Sequence, residues 1–466
     1  MSEDFLDRSH SVAQPGFSRW LVPPAALCIH LAIGSAYAFS VFSKPMSQLI
    51  GITAPAPGDW KITDIGWIFS IAILFLGLTA AFGGKWVERV GPRKSMFTAA
   101  LLFSGGLLIA GGGVALHLLP LVFLGYGVVG GMGLGIGYIS PVSTLIKWFP
   151  DRPGLATGTA IMGFGGGALI AAPLSVKLIK HFSTSTFVGV APTMLVLGVL
   201  YLAFMMVGAA IVRVPADGWA PVGYVPKATP QRMITTRNIL VGQAVKTPQF
   251  YLLWLVLFLN VTAGIGVLSQ ASLMVQEMFP GKFAHANPAE VAASAAAAAG
   301  FVGILSIFNM AGRLFWASMS DFMGRKTTYT IFFVLGMALY MSIPSLGKAG
   351  NLPLFVAAYA VIISMYGGGF ATIPAYLKDL FGTINVGAIH GRLLTAWAAA
   401  GVAGPVLIDY IRQHQIESGV AKADAYSTTM YIMAALLLGG LICNLMVKQL
   451  PDENFVSTGN LKEARS

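Results

Sequence analysis

The chain has 466 residues, 56% hydrophobic and only 10% charged, against about 25% charged in a soluble domain. Charge this sparse cannot coat a water-soluble body of this length, so apolar surface must face lipid, which excludes soluble enzymes and disordered scaffolds. The net charge of +11, from 29 Lys and Arg against 18 Asp and Glu, suggests nucleic acid only until its placement is examined.

A polar start, residues 1–18, leads into a first apolar run near Trp20 that is too long for a signal-peptide core and is expected to stay as a transmembrane helix. Runs of about 20 apolar residues cross the hydrocarbon core as helix. Twelve are predicted, at 19–43, 64–84, 95–115, 118–146, 153–179, 187–212, 249–277, 297–320, 328–346, 352–377, 388–411 and 427–447. Twenty of the Lys and Arg then fall on the side holding both termini, eight on the other, and Arg313 in no loop at all. Cytoplasmic loops collect basic residues, so both termini are expected in the cytoplasm and nucleic acid is not expected as a partner.

The polar stretch 213–248 reads as a cytoplasmic linker, dividing a six-helix bundle at 19–212 from a second at 249–449, with a cytoplasmic tail at 450–466. Glu88, Gly91 and Gly158 recur as Asp321, Gly324 and Gly391, each 233 residues later. The expected fold is therefore an all-α membrane protein of twelve transmembrane helices in two pseudo-symmetric six-helix bundles. Asn287-Pro288-Ala289-Glu290 has the pattern of a helix start, with a cap, a proline and an acid, so helix eight is expected to begin outside the lipid.

Between helices two and three stands Gly84-Lys85-Trp86-Val87-Glu88-Arg89-Val90-Gly91-Pro92-Arg93-Lys94, and between eight and nine Asp321-Phe322-Met323-Gly324-Arg325-Lys326. This resembles the loop signature of the major facilitator superfamily. A tight glycine turn with an acid beside arginines can cap neighbouring helix ends. Gly84, Glu88, Arg89, Gly91, Arg93, Asp321, Gly324 and Arg325 are accordingly the candidate conformational latch. Further stretches resemble the oxalate/formate antiporter family and its monocarboxylate-transporting relatives: Gly34-Ser35-Ala36-Tyr37, Lys147-Trp148-Phe149-Pro150-Asp151-Arg152-Pro153-Gly154-Leu155-Ala156-Thr157-Gly158, Thr247-Pro248-Gln249-Phe250, Phe308-Asn309-Met310-Ala311-Gly312-Arg313-Leu314-Phe315-Trp316 and Asp379-Leu380-Phe381-Gly382-Thr383.

Arg313 is the residue that chemistry singles out. It lies eight residues before Asp321, or about 12 Å along a helix and near the midplane. A guanidinium there costs roughly 2.5–3.5 kcal/mol and marks a functional site unless a partner explains it. No acid is placed by sequence to neutralise it: Asp64 and Asp409 come nearest, both at helix ends, and Asp409 has Arg412 one turn away. Arginine's planar fork fits a carboxylate through two parallel hydrogen bonds. The bland alternative is an arginine that bonds helix carbonyls or hydroxyls and holds the bundle together.

The resemblance makes Arg313 the substrate-binding arginine. It also implies cavity aromatics at Tyr37, Tyr138, Tyr366 and Phe370. Oxalate-exchanging members are expected to carry a lysine in helix eleven where this chain has Trp397, so one fixed charge is missing and a small monocarboxylate (formate, lactate or pyruvate) is favoured over oxalate. The animal monocarboxylate transporters place an aspartate one turn before the arginine; here that position is Asn309. His30 and His390 are candidate titratable partners, with packing as the alternative for each.

Gly125-Tyr126-Gly127-Val128-Val129-Gly130 fits a dinucleotide fingerprint but lies in an apolar helix, so helix packing is expected. No P-loop, metal site or cofactor signature occurs, and Cys28 and Cys443 are assigned no role. The expectation is a monomeric secondary carrier in the cell inner membrane that binds a small carboxylate anion by alternating access, through exchange or with a proton. Its rivals are an oxalate/formate antiporter proper, a nitrate-type anion carrier, and a membrane sensor.

Overall fold

The computed structural model describes residues 5–455 except 53, 217, 225–232 and 280–287. All the runs predicted from the sequence are helices long and apolar enough to cross a bilayer: α1 Arg19–Ala38, α2 Asp64–Val90, α3 Pro92–Ala115, α4 Leu119–Trp148, α5 Pro153–Phe182, α6 Val190–Ile211, α7 Pro248–Leu268, α8 Gly300–Met323, α9 Arg325–Lys348, α10 Leu352–Phe381, α11 Val386–Glu417 and α12 Ser427–Met446. Helices satisfy their own backbone donors and acceptors, which hydrocarbon requires. Large apolar side chains stand exposed along them, among them Trp67, Phe82, Val207, Phe315, Val406 and Ile442, a distribution suited to lipid and not to water.

Several boundaries differ from those read in the sequence. Helix two runs on to Val90, so Gly84, Glu88 and Arg89 belong to its last turns rather than to a loop. The chain reverses at Gly91 alone, where φ is +84°, and Gly324 repeats this at +85°. Only glycine adopts such angles without strain, and Pro92 then opens α3 with a preset φ. The helix containing α7 continues to Met278, and that containing α8 starts at Pro288. Asn287 and the side chain of Glu290 lie outside the described residues. Residues 123–130, which contain the Gly125–Gly130 match to a dinucleotide fingerprint, form a π-helical segment within α4.

Contacts between Cα atoms group the chain into two compact units. The first takes Met1–Lys246, Pro374–Ala398 and Gln449–Ser466. Its helices meet through small residues: a Cβ on Gly106 would lie within 3.0 Å of Gly125 and Gly130 backbone atoms, and one on Gly167 within 3.0 Å of Gly34. Close backbone approach of this kind drives helix association in lipid. Arg19 grips Asp151 through both guanidinium nitrogens, at 2.8 and 3.1 Å, tying the start of α1 to the turn before α5.

The second unit takes Thr247–Ile373 and Ala399–Lys448. Its tyrosines tie helices by their hydroxyls: Tyr340 donates to the Ala263 carbonyl at 2.8 Å and Tyr329 to that of Gly369 at 2.6 Å. Lys326 donates to the carbonyls of Leu445 and Val447, capping the end of α12 where the helix dipole is negative. Arg412 bonds both carboxylate oxygens of Glu277 and the Tyr426 hydroxyl. The sequence suggested Asp409 as its neighbour; the side chain of Asp409 lies outside the described residues. The unit boundary falls at Pro374, inside α10, and just past an interruption of α11 at Leu394.

Candidate functional site

In the second unit, Arg313 is fully buried, at 0% exposure. Asn309, one turn earlier on the same face, accepts a hydrogen bond from its Nε at 3.1 Å. The guanidinium carbon lies 5.5 Å from the Phe370 ring centroid on α10, within cation–π range. Tyr366, one turn before Phe370, meets it edge to face at 5.3 Å. Helix ten approaches this closely because Gly367 lacks a side chain: its Cβ would fall 3.1 Å from Arg313 Cγ and closer still to Asn309. Trp316 donates to Ser364 Oγ at 3.1 Å and clamps the same two helices one turn on. Arg313 is thus tied to its own helix through Asn309 and lies against α10 at Phe370.

In the first unit, His30, Tyr37, Tyr138, His390 and Trp397 converge, and Trp397 is only 1% exposed. Tyr138 stacks on His30 at 5.4 Å, lies 5.9 Å from His390 and 5.3 Å from Trp397. The side chain at the centre of this cluster was not foreseen. Phe164 of α5 stands 5.0 Å from Tyr37, 5.3 Å from Tyr138 and 5.5 Å from Trp397. Its only signal in the sequence is a phenylalanine inside the glycine run 163–167, where a bulky ring breaks a pattern suited to close packing.

The two histidines differ. His30 Nδ1 lies 2.7 Å from the Ala160 carbonyl oxygen and Nε2 3.2 Å from that of Tyr138; a neutral imidazole has one N–H to give, and the shorter contact ties α1 to α5. His390 is equally buried, and among the described residues neither of its ring nitrogens has a hydrogen-bond partner.

The motif residues are placed as follows. Glu88 pairs with Lys147 of α4 and accepts from the Gly387 amide at the start of α11, at 3.2 Å. A Cβ on Gly84 would lie 2.6 Å from Ala388 Cα, so helix two and the first turns of α11 touch backbone to backbone. Arg93 donates to the Phe5 carbonyl at 2.9 Å and lies over the Phe5 ring. Arg89 is exposed. In the second unit Asp321 instead pairs within its own turn, with Arg325 at 2.6 Å, and Arg325 also bonds Ser320. Lys147, missed as a partner, has Asp151 as its nearest acid in sequence, four residues on, and is brought to Glu88, 59 residues earlier, only by the packing of α4 on α2.

Comparison with known proteins agrees with this architecture. The chain is 25% identical over 394 residues to the oxalate:formate antiporter of Oxalobacter formigenes, covering 83% of each protein. It is 24% identical to the MFS-type transporter YhjX of Escherichia coli, covering 83% of this chain and 86% of that one. It is also 24% identical to apicoplast pyruvate carrier 1 of Toxoplasma gondii, over 84% and 76%. Among solved structures, the fucose:proton symporter of Escherichia coli superposes with a TM-score of 0.64 at 13% identity, over 93% of this chain and all of that one. A bacterial homologue of the iron transporter ferroportin gives 0.63 at 14%, over 91% and 98%. The profile of the Major Facilitator Superfamily matches residues 25–405, and the chain is a multi-pass membrane transporter belonging to that superfamily.

Proposed function

We propose that this transporter carries small monocarboxylates, of the formate, lactate or pyruvate class, by alternating access and exchange. The observation that carries the reading is Arg313: a guanidinium at 0% exposure in a membrane-spanning helix, oriented by Asn309 and walled by Phe370. A preorganised arginine fork is suited to a carboxylate, which it takes by two charge-assisted hydrogen bonds. Tyr366 and Phe370 supply the apolar wall that small organic anions need. The relatives named for oxalate, formate and pyruvate support a carboxylate over inorganic anions.

Trp397, in place of a second cation, favours a single negative charge. A dianion would carry its second charge into low dielectric uncompensated, at several kcal/mol. The name of the Oxalobacter relative favours a second reading, oxalate/formate exchange. His390 is the candidate for proton coupling, whereas His30 is occupied as a tie between helices. Exchange rather than free uniport is the mode we infer, and counterflow distinguishes the two. We place the protein in the cell inner membrane with both termini in the cytoplasm, as its basic loops favour, and assign the contact of Glu88 with Lys147 and Gly387 to a latch between α2 and α11.

Counterflow in proteoliposomes tests the reading. Radiolabelled lactate or formate should leave loaded vesicles faster when unlabelled substrate is outside. Equal efflux with and without external substrate removes exchange, and competition by nitrate but not by lactate removes the carboxylate.

A further inference from the structure

At the loop end of the first unit lies a cavity of about 700 Å³. Its walls come from the N-terminal segment, the last turns of α2, the end of α4, the two flanks of the 213–248 stretch and the turn between α10 and α11. Five cations line it, Arg8, Lys85, Arg89, Lys147 and Lys246, against one acid, Glu88. That acid is already engaged by Lys147 and the Gly387 amide.

The basic bias of loops on one side of a membrane accounts for the sign of these charges. It does not account for their gathering around one concavity, where, though most are exposed, they face a common space and repel one another. A multivalent anion relieves that repulsion. A monocarboxylate brings one charge and fills a small part of such a volume, whereas a phosphate-bearing anion brings several charges and oxygens that lysine and arginine bind well. Basic pockets at this level of membrane proteins also hold phosphate head groups. Gln243 and Asn385, also on the wall, add neutral donors.

We infer that this cavity is a binding site for a phosphate-bearing polyanion, separate from the Arg313 cluster and independent of the carboxylate reading. Its occupant contacts both the end of α2 and the turn before α11, the two segments that Glu88 joins, and so strengthens that junction. The phosphate comes either from a soluble ester or diphosphate or from a lipid head group.

Purified full-length protein in zwitterionic nanodiscs, titrated with inorganic pyrophosphate at low ionic strength in a calorimeter, tests this. Pyrophosphate should bind, and added salt should weaken it steeply. Lys85→Gln with Lys246→Gln should weaken it by about tenfold or more, while Arg313→Gln should leave it within about twofold. Both lysines are exposed, so the double variant should keep the wild-type thermal transition. Parallel discs containing phosphatidylglycerol identify the source. Loss of pyrophosphate binding there, or retention of that lipid in native mass spectra by the wild type and not by the double variant, assigns the head group. Unchanged pyrophosphate binding there assigns a soluble phosphate. If neither probe binds, if the double variant binds as tightly as the wild type, or if Arg313→Gln abolishes pyrophosphate binding, the inference is overturned.

Discussion

The most informative single substitution is Asn309→Asp, which changes one atom and the charge. Asn309 Oδ1 lies 3.1 Å from Arg313 Nε, and both residues are buried. A carboxylate at 309 would pair with the guanidinium and lie close to any substrate carboxylate held by the same group. Two like charges about 5 Å apart at an effective dielectric of about 20 repel by about 3 kcal/mol, which corresponds to a roughly hundredfold loss of affinity. Pairing with the guanidinium holds the new carboxyl ionised at and above about pH 5, so the variant should bind lactate or formate roughly a hundredfold more weakly than the wild type across about pH 5 to 7.5. Calorimetry on detergent-purified wild type and variant across that range measures it. Asn309→Asp binding within twofold of wild type throughout that range would refute the placing of substrate on Arg313.

Other substitutions probe the neighbouring claims. Trp397→Lys restores the cation that the family resemblance assigns to oxalate exchange and should raise the oxalate-to-formate binding ratio by about tenfold; a ratio unmoved in competition assays contradicts the charge-balance argument. Glu88→Gln removes the Lys147 pair and weakens the acceptor of the Gly387 amide, both in a half-buried setting. It should lower stability by about 1–2 kcal/mol and increase thiol labelling of a cysteine placed at Ala388, whereas unchanged labelling argues against a latch. Asp59 accepts from the amides of Ile50, Gly51 and Ala56 at 2.7, 3.0 and 2.9 Å. Burial alone would lift its carboxyl, but these amides and nearby His117 together hold it below the usual carboxylate range. Because the folded pKa is depressed, the loop's stability should be fully present above about pH 4, the ordinary value, and be lost as pH falls through the lower folded one. Hydrogen exchange at Ile50 and Gly51 reads this directly, and Asp59→Asn should abolish the pH dependence.

Much of the architecture is legible in the sequence because each spanning helix states itself locally, through twenty apolar residues and the glycine or proline that ends them. Gly91 and Gly324 could be paired by their 233-residue spacing, and both adopt the same left-handed angle. The candidate site is legible where one residue carries an anomalous property: Arg313 stands out as a cation with no loop to hold it. What remained hidden depends on which helices meet. Phe164 joins His30, Tyr37, Tyr138 and Trp397 only through the packing of α5 against its neighbours. Glu277, near the end of a long helix, finds Arg412 135 residues later. Helix two gave no sign of running past Gly84, because its last turns are polar and read as loop. They stay helical because Gly84 is pressed against α11 and Glu88 bridges to α4 and Gly387.

The central claim is that the buried guanidinium in α8 takes the substrate's carboxylate. Calorimetric titration of formate, lactate, pyruvate, oxalate and nitrate into the wild type and Arg313→Gln, with thermal transitions recorded to confirm folding, tests it most directly. Losing two charge-assisted hydrogen bonds at about 1.5–3 kcal/mol each should weaken the preferred monocarboxylate by roughly 10²- to 10⁴-fold. A folded Arg313→Gln protein that binds the same carboxylate with wild-type affinity would contradict the account.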